Sequence, residues 1–85
     1  MNITIRYFAA LRERIGCASE ECDVPSNIGT VGALRGWLAA RGDPWRAAFG
    51  DTKKLRAAVD QSMASEQTRL HDRAEVAFFP PVTGG

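Results

Sequence analysis

Residues 2–8, Asn-Ile-Thr-Ile-Arg-Tyr-Phe, alternate with period two and are rich in β-branched and aromatic side chains, the pattern of a half-buried strand. Ile3, Ile5 and Tyr7 share one face of it, and Thr4, Arg6 and Phe8 share the other. From Ala9 the period changes. Ala9 to Ile15 are mostly good helix formers, Leu11 and Ile15 stand one turn apart, and Gly16 is placed to end the turn. Ser19 to Val24 returns to a strand with Cys22 and Val24 on one side, and Pro25 stops it.

Thr30 reads as the N-cap of a helix over 31–41, with Gly42 as its C′ residue. Val31, Leu34 and Leu38 form its apolar stripe, flanked by Trp37. Gly32 and Gly36 each weaken this helix by roughly 1 kcal/mol relative to Ala, so packing must hold it. Asp43-Pro44 reads as a second cap with proline at N1, opening a short turn from Trp45 to Phe49 that Gly50 closes. Both tryptophans are expected in the core. Leu55, Ala57 and Val59 alternate with Arg56, Ala58 and Asp60 as a strand, and Asp60-Gln61-Ser62 turns it into a brief Met63-Ala64 strand. Residues 65–73 are polar apart from Leu70 and predict a loop. Ala74 to Phe79 is the last strand, cut off by Pro80-Pro81. This order predicts an α+β fold, one mixed sheet of about five strands with the helices packed on one face.

Composition narrows the function more than the fold. A chain of 85 residues buries roughly 63% of its surface, enough for one modest core. Eleven basic and ten acidic residues leave a net charge of +1, without the basic excess of a nucleic-acid binder. No apolar stretch approaches the ~20 residues of a membrane span, and Met1-Asn2-Ile3-Thr4 lacks the features of a signal peptide, which predicts a cytoplasmic protein. Cys17 and Cys22 stand five apart with His71 as the lone histidine, which fits neither a zinc site nor a secreted disulfide framework. A Cys nucleophile with His71 as base would need a spatial approach that nothing in the spacing signals, and both cysteines read as small packing residues.

The chemistry concentrates at the end, Phe78-Phe79-Pro80-Pro81-Val82-Thr83-Gly84-Gly85. Two prolines bar ladder hydrogen bonds and favour an extended course, so residues 80–85 read as a tail leaving a domain of residues 1–79. Six residues from Pro80 reach at most ~20 Å. Gly84 and Gly85 lack Cβ atoms, so a narrow channel admits them and nothing shields the terminal carboxyl carbon. The tail is built to deliver a carboxylate into another protein's active site. A carboxylate resists attack until it is activated, for example as an acyl-adenylate. A sulfur nucleophile then yields a thiocarboxylate and an amine yields an amide, and the residues alone do not choose between them.

Tyr7-Phe8-Ala9-Ala10-Leu11-Arg12-Glu13, Thr30-Val31-x-Ala33-Leu34, Ala57-Ala58-Val59-Asp60-Gln61 and above all Glu75 through Gly85 resemble the small-subunit family of molybdopterin synthases. These are ubiquitin-like β-grasp sulfur carriers, and the resemblance runs from the first strand to the last residue. It implies a β-grasp fold and a non-catalytic subunit with no cofactor of its own. It also implies an E1-like adenylyltransferase that spends ATP on Gly85, and a sulfurtransferase or persulfide donor. The partner that consumes the thiocarboxylate is the synthase large subunit, in a heterotetramer that passes sulfur to cyclic pyranopterin monophosphate. Relatives that carry sulfur for thiamine or another thiolated product share the Gly-Gly end, and so do ubiquitin-like modifiers. The departures, Gly32, Gly36 and the Cys17/Cys22 pair, lie mid-chain.

Alternation also predicts a docking face. If Tyr7, Val76 and Phe78 face the helices, then Phe8, Ala77 and Phe79 point outward. In a β-grasp sheet the first and last strands are parallel neighbours, which brings Phe8 beside Phe79, with Met63 extending the patch. Such a cluster beside a reactive tail reads as a partner surface. It includes Pro80, Pro81, Val82 and Thr83 on the approach to Gly84 and Gly85, and Arg12 as a rim contact.

Overall fold

A strand whose inward face is Ile3, Ile5 and Tyr7 needs apolar neighbours on both sides. The computed structural model, which describes residues 1–50 and 55–81, supplies them. Strand β1 (Asn2–Tyr7) pairs antiparallel with β2 (Ser19–Asp23) and parallel with β5 (Glu75–Phe79). β5 also pairs antiparallel with β3 (Arg56–Val59), which turns back into β4 (Ser62–Ala64). The sheet order is β2-β1-β5-β3-β4. Parallel neighbours cannot be joined by a hairpin. Here the connection includes helices α1 (Ala9–Ile15), α2 (Val31–Ala39) and α3 (Trp45–Gly50). This is the expected β-grasp arrangement.

The registers Ile5↔Val76, Tyr7↔Phe78, Ala57↔Phe78 and Val59↔Val76 stack the inward residues in rows. They are buried together with Leu11, Val31, Leu34, Leu38, Ala48 and Phe49 from the helices. Phe49 stands edge-on to both strands' aromatics, its ring centroid 6.3 Å from Tyr7 and 5.0 Å from Phe78. Edge-to-face geometry of this kind adds ~0.5–1.5 kcal/mol per pair beyond the area buried.

Element boundaries depart from expectation at the helices. α2 ends at Ala39 rather than residue 41, because Arg41 and Gly42 bond back to the carbonyls of Leu38 and Ala39 in a tighter turn. Gly42 still supplies the left-handed residue, at φ 94°. Pro44 precedes α3 instead of occupying its first position, and its carbonyl accepts from the Ala48 N–H at 3.0 Å. The tryptophans are partly buried rather than core residues. They flank Arg41, whose guanidinium carbon lies 4.1 Å from the Trp45 ring centroid and 5.7 Å from that of Trp37.

The 65–73 loop does more than connect. Its carbonyls at Thr68 and Glu66 accept the N–H groups of Val31 and Gly32, and the Thr30 hydroxyl accepts that of Ala33. Three amides that a helix start leaves without intrahelical partners are thereby satisfied. The two glycines of α2 consequently differ. A Cβ on Gly32 would lie 2.8 Å from Glu66 Oε2 and 3.2 Å from its carbonyl oxygen, whereas one on Gly36 would meet nothing within 4 Å. Gly32 exists for the close approach of the loop.

The β3–β4 turn is a two-residue loop, Asp60-Gln61, with both residues at positive φ (49° and 69°), as right-handed strand twist requires. Neither residue is glycine, so the turn is held by its neighbours. Asp60 Oδ1 accepts the Glu75 N–H at 3.0 Å, and Oδ2 meets His71 Nε2. The Glu75 amide and then His71 hold the Asp60 carboxyl below its ordinary value, while Asp60 and then the Asp72 carbonyl raise His71 above its own.

Gly36→Ala is expected to raise the melting temperature by about 4–8 °C, the equivalent of ~1 kcal/mol of helix propensity in a domain this size. Gly32→Ala should gain nothing, because the loop must retreat. Thermal melts of the two variants test the difference. The His71 tether has a pH signature. A raised histidine stabilises fully below its unfolded value of about 6.5 and loses that contribution as pH rises through the folded value. A lowered aspartate contributes above about 3.8 and is lost as pH falls through its folded value. His71→Gln should therefore melt below wild type at about pH 5.5, with the gap narrowing towards about pH 8.

Candidate functional site

β5 is flanked on both sides, and its chain leaves the sheet at Phe79. Pro80 and Pro81 follow, half-buried and outside regular structure, because neither has an N–H to extend the ladder. Val82, Thr83, Gly84 and Gly85 lie outside the described residues. Pro80 and Pro81 therefore continue from a strand that has a neighbour on each side.

The outer face carries the predicted apolar residues, at different exposures. Phe8 is extended at φ −124°, ψ 155°, so it keeps the alternation of β1 although that strand ends at Tyr7. Its N–H bonds the Phe78 carbonyl at 3.2 Å, and the Tyr7↔Phe78 register makes Phe8 and Phe79 the next pair along. Phe8 is 42% exposed and Met63 63%, while Phe79 is half-buried. Met63 does not adjoin the aromatics. The row Arg6–Ala77–Ala58–Met63 runs across four strands, which puts Met63 two strand spacings, ~10 Å, from the β5 row. Between them the small side chains of Ala58 and Ala77 leave a shallow floor.

Two arginines edge this floor. Arg6 lies 3.6 Å from Glu75 and 5.6 Å from the centre of the Phe8 ring. Arg56 stands opposite Phe79 on β3. Sequence reasoning missed Ala58 and Arg56 as parts of this face. Their alternation with Ala57 was visible, but only the pairing with Ala77 and Phe79 places them. Arg12 is exposed one helical turn beyond Phe8, its amide bonded to the Phe8 carbonyl at 3.3 Å.

The cysteines and His71 belong to separate surroundings. Cys22 is buried, donating to Glu20 Oε1 at 3.2 Å, and burial followed by Glu20 pushes its thiol up to about 11. That is the reverse of nucleophile activation. Glu20 also receives the Tyr7 hydroxyl at 2.7 Å and Arg41 at 3.0 Å. Burial acts to raise Glu20, and the hydrogen bonds from Tyr7, Arg41 and Cys22 hold it below its ordinary value. Trp45 Nε1 donates to the Tyr7 oxygen at 3.2 Å, which completes a polar cluster on the helix side of the sheet. Cys17 is half-buried and free. Among the described residues no three His, Cys, Asp or Glu side chains are grouped to hold a metal, and no helix is long and apolar enough to cross a membrane.

The ThiS family model matches residues 5–85. The molybdopterin synthase sulfur carrier subunit of Escherichia coli (strain K12) is 46% identical over 83 residues, covering 98% of this chain and 99% of that protein. A solved structure described as putative molybdopterin converting factor, subunit 1, from Pyrococcus furiosus superposes with a TM-score of 0.78. Its identity is 24%, over 96% of this chain and 99% of that one. SAMP1 from Haloferax volcanii gives 0.77 at 22% identity, with both chains covered completely. At those identities the two structures speak for the fold alone.

Proposed function

The chain belongs to the ThiS family, and from that premise we propose that it is the sulfur-carrier subunit of a molybdopterin synthase. The observation that carries this reading is the 46% identity to a protein of that name across nearly the whole of both chains. The chain acts as a protein substrate and a non-catalytic subunit, in the cytoplasm.

The chemistry follows from the terminal carboxylate. A Gly85 oxygen attacks the α-phosphorus of ATP in an adenylyltransferase, pyrophosphate leaves, and an acyl-adenylate forms. A sulfur nucleophile from a sulfurtransferase or persulfide donor then attacks the acyl carbon. AMP departs. When the nucleophile is a persulfide, the product is an acyl disulfide. A second thiolate, supplied by the donor protein or a free thiol, then attacks the donor-side sulfur, forming a disulfide with it and leaving the chain with a terminal thiocarboxylate. In the large subunit this sulfur passes to cyclic pyranopterin monophosphate. ATP is the activating enzyme's substrate, and this chain contributes no cofactor. Its own part is mechanical. The sheet holds Pro80-Pro81 at the end of β5, and Gly84 and Gly85, which have no Cβ atoms, suit a narrow entrance in the partner. Phe8, Phe79, Met63 and the rim residue Arg12 dock the folded domain against whichever protein holds the tail.

Mass spectrometry of the C-terminus after incubation with the activating enzyme, ATP and a sulfur donor tests the reading directly. The expected product is heavier by the replacement of one oxygen with sulfur. An adduct on lysine would instead make the chain a modifier. Removal of Gly85 is expected to abolish molybdopterin formation in a reconstituted assay with an unchanged melt, and sustained formation would refute the carrier role. Phe79→Asp is expected to weaken binding to the large subunit about 30-fold or more, ~2 kcal/mol, while the domain still folds. A collapsed melt would assign Phe79 to the core, and undiminished binding would remove the outer face from the interface.

A further inference from the structure

The two edges of the sheet are protected unequally. β2, at one edge, reads Ser-Glu-Glu-Cys-Asp, and such charges discourage another strand from pairing with it. β4, at the other edge, reads Ser-Met-Ala, with neither charge nor proline. Beside it lies a groove of 640 Å³, lined among others by Leu55, Arg56, Met63, Ala64, Gln67 and Pro81.

We propose that this groove receives an extended, carboxylate-bearing segment of the synthase large subunit, lying along β4. The inference rests on the sulfur-carrier reading and deepens it by naming what the partner presents. Its position is the first support. Met63 belongs both to the outer docking face and to the groove, and Pro81 is the root of the tail, so a protein that holds the tail passes over this edge. Charge is the second. Arg35, on one wall, is already engaged, with Nε 2.6 Å from Glu66 Oε1 and Nη2 donating to the Leu55 carbonyl. Arg56, on the other, is exposed and has no ionic partner among the described residues. A guanidinium without an ionic partner among the described residues, lining one groove with Leu55, Met63 and Ala64, suits a planar carboxylate, which it binds through two parallel hydrogen bonds. The free edge supplies the third element, since a segment added to a sheet edge gains main-chain hydrogen bonds along its length.

The test uses the full chain and its cognate large subunit. Arg56→Glu is expected to weaken binding at least about tenfold and to flatten its dependence on salt. Arg56→Lys should retain part of the affinity. Arg46→Glu, which makes the same change in net charge at an exposed position on α3, should stay within about twofold of wild type. Normal melts for all three keep the comparison about binding. If Arg56→Glu binds like wild type, or no worse than Arg46→Glu, the proposal falls while the carrier reading stands. If the unaltered chain fails to bind the large subunit, both fall together. A photoreactive p-benzoylphenylalanine at Gln67 identifies the occupant. Crosslinking to a large-subunit peptide that contains Asp or Glu supports the proposal. Crosslinking to a peptide without either, or to a second copy of this chain, overturns it.

Discussion

The parallel pairing of β1 with β5 is the contact on which the rest of the structure depends. It joins residues about seventy positions apart, Ile5 to Val76 and Tyr7 to Phe78, so everything between must fold into its crossover. Once that register is set, alternation assigns every neighbouring side chain to a face. Ile3, Ile5, Tyr7, Val76 and Phe78 go to the helices, and Phe8 and Phe79 go outward. A slip of one residue would exchange the two sets, burying Arg6 and Glu75 and exposing Tyr7 and Phe78. Burial on one face therefore fixes which side chains point outward on the other.

The same pairing sets where the last strand ends. A strand with neighbours on both sides is the most constrained part of a small domain, and Pro80-Pro81 end it abruptly. Proline removes the donor that would extend the ladder while keeping the backbone extended. In the proposed role, a reactive carboxylate is presented from the end of a strand paired on both sides.

Away from the tail, polar groups consolidate the helix side. Glu20 stands on the inward face of β2 opposite Ile5, where an isolated carboxylate would be costly. Tyr7, Cys22 and Arg41 meet its oxygens, and the two tryptophans flank the arginine. The loop before β5 plays a similar part at the start of α2, where its carbonyls take the place of further side-chain caps and Gly32 makes room for them. These devices account for residues that look like weaknesses in isolation, a carboxylate in an inward position and a glycine in the first turn of a helix.

The local pattern of the chain determined the elements themselves, the inward and outward parity of β1 and β5, a turn at Asp60-Gln61-Ser62 whose last residue the structure gives to β4, and the stop at Pro80. Each is a matter of period, propensity or backbone restriction within a few residues. The resemblance carried by Glu75 through Gly85, with the shorter stretches before it, supplied the fold family, the parallel pairing of the first and last strands and the role proposed for the end. Tertiary structure alone decided that Met63 stands two strands from Phe79 and that Ala58 and Arg56 belong to the same face. It also decided that Trp37 and Trp45 serve Arg41 rather than the core, and that Gly32 and Gly36 are not equivalent. The physical reason is common to all four. Each depends on which other segment lies alongside: β5 and β4 beside β3, Glu66 beside Gly32, and Tyr7 and Glu20 beside Trp45 and Arg41. The two-residue and 3.6-residue periods visible in a sequence carry no record of those neighbours.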